Sequence, residues 1–203
     1  MKDLESQIKE HWDSAYRSTP YKKLPWESVK PDEELVKYVA ERRIKKGKAL
    51  EVCCGAGTQS IFLAKKGFDV TGIDISPTAI KIAIKRAKEE KVKINFMTGN
   101  SFDLKLDAES FDLVLDRGCF HHIPPEARSR YIEGVARVLK KGGKYFSKSF
   151  SKKNGWNIEK EFTLEEVENI FSQYFDVEVS REVVHTQPEG GDVIMNAILM
   201  KKK

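Results

Sequence analysis

Cysteine is scarce in this chain, with three residues among 203, and their placement excludes more than their number does. Cys53 and Cys54 are neighbours and Cys119 stands alone. An odd count with two adjacent members argues against a disulfide framework, and no C-x-x-C pair is present. Histidine is equally thin, with four scattered residues, so no ligand spacing for a structural zinc or other metal emerges. Long apolar runs are missing too. Nothing approaches the roughly 18 apolar residues that a membrane-spanning helix needs. The opening Met1-Lys2-Asp3-Leu4-Glu5 is charged where a signal peptide would be apolar, so the expectation is a cytoplasmic protein with no membrane partner. Internal repeats and low-complexity linkers are also absent.

Charge is present but mixed. Lysine and arginine total 36 against 31 acids, a formal net charge of +5, and part of that excess sits in Lys201-Lys202-Lys203. Elsewhere the bases alternate with acids, as in Lys85-Arg86-Ala87-Lys88-Glu89-Glu90, which reads as a solvated helix face and not as a nucleic-acid groove. The length suits one domain with a full core. Within it, residues 1–31 read as an N-terminal segment and 32–203 as the core.

The N-terminal segment begins with a helical pattern from Leu4 to about Arg17, followed by a proline-punctuated loop holding Tyr21 and Trp26. Asp32 is placed to cap a helix running to Ile44. After Gly47 the rhythm becomes strand and helix in alternation. Strands are expected at 48–54, 68–73, 93–98, 111–116 and 144–150, and helices at 58–66, 77–91 and 125–140. That alternation implies a doubly wound parallel sheet with helices on both faces. The end differs: Thr163 with Glu166 forms a capping box for a helix to about Tyr174, and two strands, 176–184 and 193–200, follow around Pro188, Gly190 and Gly191. Consecutive strands joined by a loop pair antiparallel. The expected fold is α/β and Rossmann-like, with seven strands, an antiparallel C-terminal hairpin and an N-terminal helical lid.

The stretch Val52-Cys53-Cys54-Gly55-Ala56-Gly57-Thr58 falls just after the first strand and before a helix. In open α/β sheets that is where ligands bind. Gly55 and Gly57 permit tight backbone turns, and the helix beginning at Thr58 offers free N–H groups. Asp74 ends the second strand, where a carboxylate suits a ribose diol, with Ile75 beside it. A glycine loop plus an acid would also fit a nicotinamide or flavin site, but a dehydrogenase needs a substrate domain that this chain has no room for.

Taken in order, these pieces resemble the class I S-adenosylmethionine-dependent methyltransferases. Their acid-x-Gly-x-Gly-x-Gly loop corresponds here to Glu51-Val52-Cys53-Cys54-Gly55-Ala56-Gly57. "TGNSFDL" corresponds to the loop bordering the adenine, and "FDLVLDRG" and "VLKKGGKYF" to the fourth and fifth strands. "HWDSAYRSTPYKKLPW" and "DRGCFHHIPPEARSRY" further resemble the thiopurine and thiol/halide branch. The resemblance implies S-adenosylmethionine as cofactor. Around it would lie Glu51, Cys53, Gly55, Gly57, Thr58, Asp74, Ile75, Asn100, Ser101, Phe102, Asp116 and Arg117, with Trp12, Tyr16 and Trp26 closing over it. Cys53 then stands where the family has its first glycine, at a position expected not to need positive φ, and Cys54 is expected in the core.

Methyl transfer requires a nucleophile held in line in a dry pocket. Soft nucleophiles need no base, whereas oxygen and nitrogen acceptors call for one, and Asp116 and His121 are the candidates. The expected partner is a small-molecule acceptor with a sulfur, oxygen, nitrogen or metalloid nucleophile. A non-catalytic cofactor-binding module and a protein or nucleic-acid methyltransferase are the alternatives. Asp116-Arg117-Gly118-Cys119 lacks the Asn/Asp-Pro-Pro-Tyr pattern of the nucleic-acid enzymes.

Overall fold

The sheet is built on runs that are apolar on both faces, as strands covered from two sides must be. The computed structural model describes residues 2–187 and 190–203. β1 (Lys48–Val52), β2 (Asp69–Asp74), β3 (Asn95–Thr98), β4 (Phe111–Arg117) and β5 (Leu139–Ser151) lie parallel in the order β3-β2-β1-β4-β5. In β4, Leu113 and Leu115 face one core with Leu35, Tyr38 and Leu63, while Val114 faces the other with Tyr131, Tyr145 and Phe171. This is the two-residue side-chain period of a strand. Fully burying each such leucine contributes about 1.5–3 kcal/mol.

The connecting helices are α1 (Lys2–Ser18), α2 (Glu33–Ala40), α3 (Thr58–Lys65), α4 (Pro77–Glu89) and α5 (Pro125–Val138). Two of these helices start on side-chain caps. The Asp32 carboxylate accepts from Glu34 N and Leu35 N, and Ser76 Oγ accepts from Ala79 N ahead of Pro77. A later helix, α6 (Leu164–Phe171), has the expected reciprocal box between Thr163 and Glu166. β7 (Phe175–Thr186) and β8 (Asp192–Lys202) form the antiparallel hairpin, with β8 between β5 and β7. Pro188 of the expected turn lies outside the described residues.

Three expectations need correction. A further strand, β6 (Glu161–Phe162), pairs parallel with Phe150 and Ser151, giving eight strands and not seven. Asn196 holds it by donating from Nδ2 to Phe162 O at 2.8 Å. The second helix stops at Ala40, not Ile44, because Arg42 turns left-handed with φ 59°. The fifth helix ends at Val138 and β5 starts at once at Leu139, its register jumping past a turn at Gly142 (φ 75°).

The strand order reverses direction at β1, flanked by β2 on one side and β4 on the other. Val52 pairs with Ile73 and with Asp116, so the loops after β1, β2 and β4 leave the sheet side by side. Such a switch point opens a crevice at the carboxyl ends of the strands.

Candidate functional site

A cavity of about 110 Å³ fills that crevice. Among the residues expected there, Trp12, Tyr16, Trp26, Glu51, Cys53, Gly55, Thr58, Asp74, Ile75, Asn100, Ser101, Phe102 and Arg117 all line it. Gly57 and Asp116 do not.

The loop after β1 explains the difference between its two glycines. Gly55 has φ 52° and faces the cavity rim, where an added Cβ would lie 2.3 Å from Glu27 Oε1 and 2.7 Å from Tyr16 Oη. Gly57, φ 77°, turns inward, and a Cβ there would sit 2.8 Å from the Phe96 ring. Gly55 therefore makes room for the N-terminal segment, and Gly57 lets α3 start against β3. Cys53 also has positive φ, 52°, contrary to expectation. The chain turns left-handed at that position with or without a glycine, at a cost of order 1–2 kcal/mol for a residue with a Cβ.

Cys53 is exposed and forms a disulfide with Cys119 of the loop after β4, Cα to Cα 5.8 Å. This corrects the expectation of unpaired cysteines. The two are 66 residues apart in sequence, and only the switch point brings their loops together. Cys54 is the free thiol, buried as expected.

Three carboxylates line the cavity. Glu51 accepts from Ser60 N at 2.8 Å and from Ser60 Oγ, both on Oε2. Burial lifts its carboxyl to about 8 against those two hydrogen bonds. Burial likewise lifts Asp74 to about 6, although Ser76 N and Gly55 N both donate to it. Glu27, unforeseen in the sequence, is also pushed up by burial. It accepts from Tyr16 Oη at 2.6 Å and from Ala56 N at 2.7 Å, and Tyr16 Oη accepts from Trp26 Nε1 at 3.0 Å. Tryptophan, tyrosine, glutamate and the glycine-loop backbone thus form one hydrogen-bonded chain that pins residues 16–27 over the cavity. α1 is held separately. Burial raises the Asp13 carboxyl, but bonds from Ser76 Oγ and Thr78 N outweigh that and bring it down to about 2. Asn100 Nδ2 is buried without a hydrogen-bond partner among the described residues.

Asp116 sits behind this site. Its carboxylate accepts from Cys119 N at 2.6 Å, Phe120 N at 3.0 Å, Tyr131 Oη at 2.5 Å and Tyr145 Oη at 3.1 Å. With no exposed surface and four donors it has no reach to a ligand. Its work is to hold the turn Phe120–His122.

That turn borders a second cavity of about 160 Å³. His121 lines it, 2% exposed, stacked on Phe150 at 3.8 Å between centroids, with Nδ1 unpartnered among the described residues. Burial, then the neighbouring His122 and Lys160, pushes its imidazole well below 6.5, so it is neutral. Lys148 and His185 line the same space, and His185 was not foreseen because it arrives from β7, 68 residues from its partner Arg117. Trp26, Arg117, Gly118 and His122 border both cavities.

Comparison with known proteins agrees with this geometry. A family model described as a methyltransferase domain matches residues 49–143. An uncharacterized methyltransferase of Schizosaccharomyces pombe is 32% identical over 105 residues, 52% of this chain and 72% of that one. A ubiquinone biosynthesis O-methyltransferase of Coxiella burnetii is 36% identical over 112 residues, 55% of this chain, and the match spans 47% of that relative. Among solved structures, one from work on the conversion of a disulfide bond into a thioacetal group during echinomycin biosynthesis superposes with a TM-score of 0.87. It covers 97% of this chain and 92% of that one at 23% identity, a likeness of fold. The chain belongs to the class I S-adenosylmethionine-dependent methyltransferases.

Proposed function

We propose that this protein transfers the methyl group of S-adenosylmethionine to a small-molecule acceptor seated in the second cavity. The observation that carries this reading is the shared wall: Trp26, Arg117, Gly118 and His122 border both spaces, so the two adjoin there. The finer likeness to the thiopurine and thiol/halide branch is supported by Trp12, Tyr16 and Trp26, all on the first cavity beneath the N-terminal segment.

The residues present suit the cofactor. Glu51, a buried carboxylate with no cation bonded to it among the described residues, would take the α-ammonium. Asp74 would take the ribose diol, and the unpartnered Asn100 Nδ2 an adenine nitrogen. When bound, the sulfonium supplies an activated methyl group. The protein's part is to exclude water with its aromatic segment and to orient the acceptor.

His121 would then face the acceptor's reacting group. Even at the ordinary 6.5, its imidazole would take a proton from a phenol of pKa about 10 uphill by roughly 5 kcal/mol, and burial makes this worse. The site therefore favours acceptors that are soft or arrive ionised. The test is parallel calorimetric titration with S-adenosylmethionine, S-adenosylhomocysteine and NAD, followed by mass-spectrometric screening of thiol, phenol, amine and metalloid acceptors. Micromolar binding of the first two with a methylated product supports the proposal. Binding of NAD alone, or cofactor binding with no turnover on any acceptor, overturns it.

A further inference from the structure

The second cavity has an unbalanced charge. Arg117 and Lys148 are the charged residues among its described lining, and both turn to one carboxylate, Asp32. Lys148 Nζ lies 2.8 Å from Asp32 Oδ2, with both side chains at most 5% exposed, and Arg117 Nε lies 3.5 Å from the same oxygen. Two cations against one anion leave one buried positive charge. Arg117 spends its other donors on the Trp26 carbonyl oxygen and on the neutral ring of His185, and its Nε has no hydrogen-bond partner among the described residues. Burial, then Arg117 and Lys148, brings His185 down to about 4. His122 falls to about 4, by burial and then Lys160, so the histidines add no charge near neutrality. Glu27 and Glu51 feel Arg117 from the first cavity, where the cofactor's own positive centres would face them.

An uncompensated buried charge is costly, and a ligand of opposite sign removes that cost. Most of the remaining wall is apolar or aromatic, from Phe150, Val193, Met195, Pro25 and Trp26, with Gln187 an uncharged amide among them. The unpartnered Nδ1 of His121, nine-tenths buried and more, supplies one further polar contact at this wall.

We propose that the second cavity selects acceptors with a single negative charge on an apolar body, an aromatic carboxylate being the type, held by the excess charge of the Arg117–Lys148–Asp32 cluster. This rests on the methyltransferase reading and names its substrate class.

The test uses the whole protein saturated with S-adenosylhomocysteine and two probes of equal shape, 3-hydroxybenzoate and 3-hydroxybenzamide, titrated by calorimetry. The anion is expected to bind about tenfold or more tightly, the scale of one charge-assisted hydrogen bond. Lys148→Met brings the local balance to zero, and the preference should fall towards one. Adding Asp32→Asn to it restores one excess charge and should restore the preference. Asp32→Asn alone should raise the preference, and asparagine keeps the helix cap. Equal affinity for both probes, binding of neither, or a preference indifferent to Lys148→Met overturns the proposal. Failure of S-adenosylhomocysteine to bind overturns the methyltransferase reading itself, and the two failures are read in separate titrations.

Discussion

Cofactor binding should release a proton, and Glu51 should be its source. Burial holds this carboxyl at about 8, so below that pH it is protonated in the free protein. An α-ammonium group placed against it favours the ionised form and drops its pKa. Binding then releases a proton at any pH between the bound and free values, and affinity rises with pH across that window. The cofactor's own amine, with a pKa of about 7.7–8.0, opposes this only near and above 8. At pH 6.5 the two effects sum to a release of about 0.9 proton, and affinity should climb almost tenfold per unit, about 1.4 kcal/mol, before flattening near 8. Asp74, at about 6, is mostly ionised through the window and contributes only at its lower end. Calorimetry of S-adenosylhomocysteine at pH 6.5 in two buffers of different ionisation enthalpy counts the protons directly. Glu51→Gln keeps an acceptor for Ser60 but cannot ionise. It should abolish the release and weaken binding about 10- to 150-fold, the equivalent of 1.5–3 kcal/mol. A buffer-independent enthalpy and an affinity flat from pH 6 to 8 in the wild-type protein would refute the reasoning.

Three further outcomes are expected. Glu27→Ala strands the Ala56 N–H and the Tyr16 hydroxyl, about 1–3 kcal/mol for each buried group, so the melting temperature should fall and residues 19–31 should become protease-sensitive; an unchanged digestion pattern would contradict the pinning. Reducing the Cys53–Cys119 bond reopens a loop spanning a sequence separation of 66 and should lower stability by about 4 kcal/mol in denaturant melts, whereas three titratable thiols in unreduced, unfolded protein would show that the bond does not form. His121→Ala should slow methylation of thiol, oxygen and nitrogen acceptors alike in initial-rate assays, and slowing confined to oxygen and nitrogen acceptors would show that the buried imidazole takes a proton after all.

Much of the fold was legible because its signals are local. Apolar strands of four to seven residues, Asp32 and Thr163 at helix starts, and the capping glutamate Glu166 all declare themselves within a few positions. β6 escaped because two residues carry no periodicity, and its hold depends on Asn196, 34 residues on. The loop residues after β1, β2 and β4 that the sequence pointed to share one cavity because the switch point fixes where those loops must be. Glu27 was missed because a single acid in a proline-rich loop has no pattern, and its partner Ala56 is 29 residues away. The Cys53–Cys119 pair and the Arg117–His185 contact were invisible for the same reason: only the sheet order makes them neighbours. Asp116 was misplaced by one side of the sheet. A carboxylate at a strand's tip reads alike whether it faces the ligand or, as here, two tyrosines and the turn behind it.

The wall common to the two cavities has a thermodynamic consequence. Trp26, Arg117, Gly118 and His122 cannot adjust to one occupant without altering what the other meets. Occupancy of the two spaces is therefore linked. By whatever factor the first ligand tightens or loosens the second, the second returns the same factor to the first.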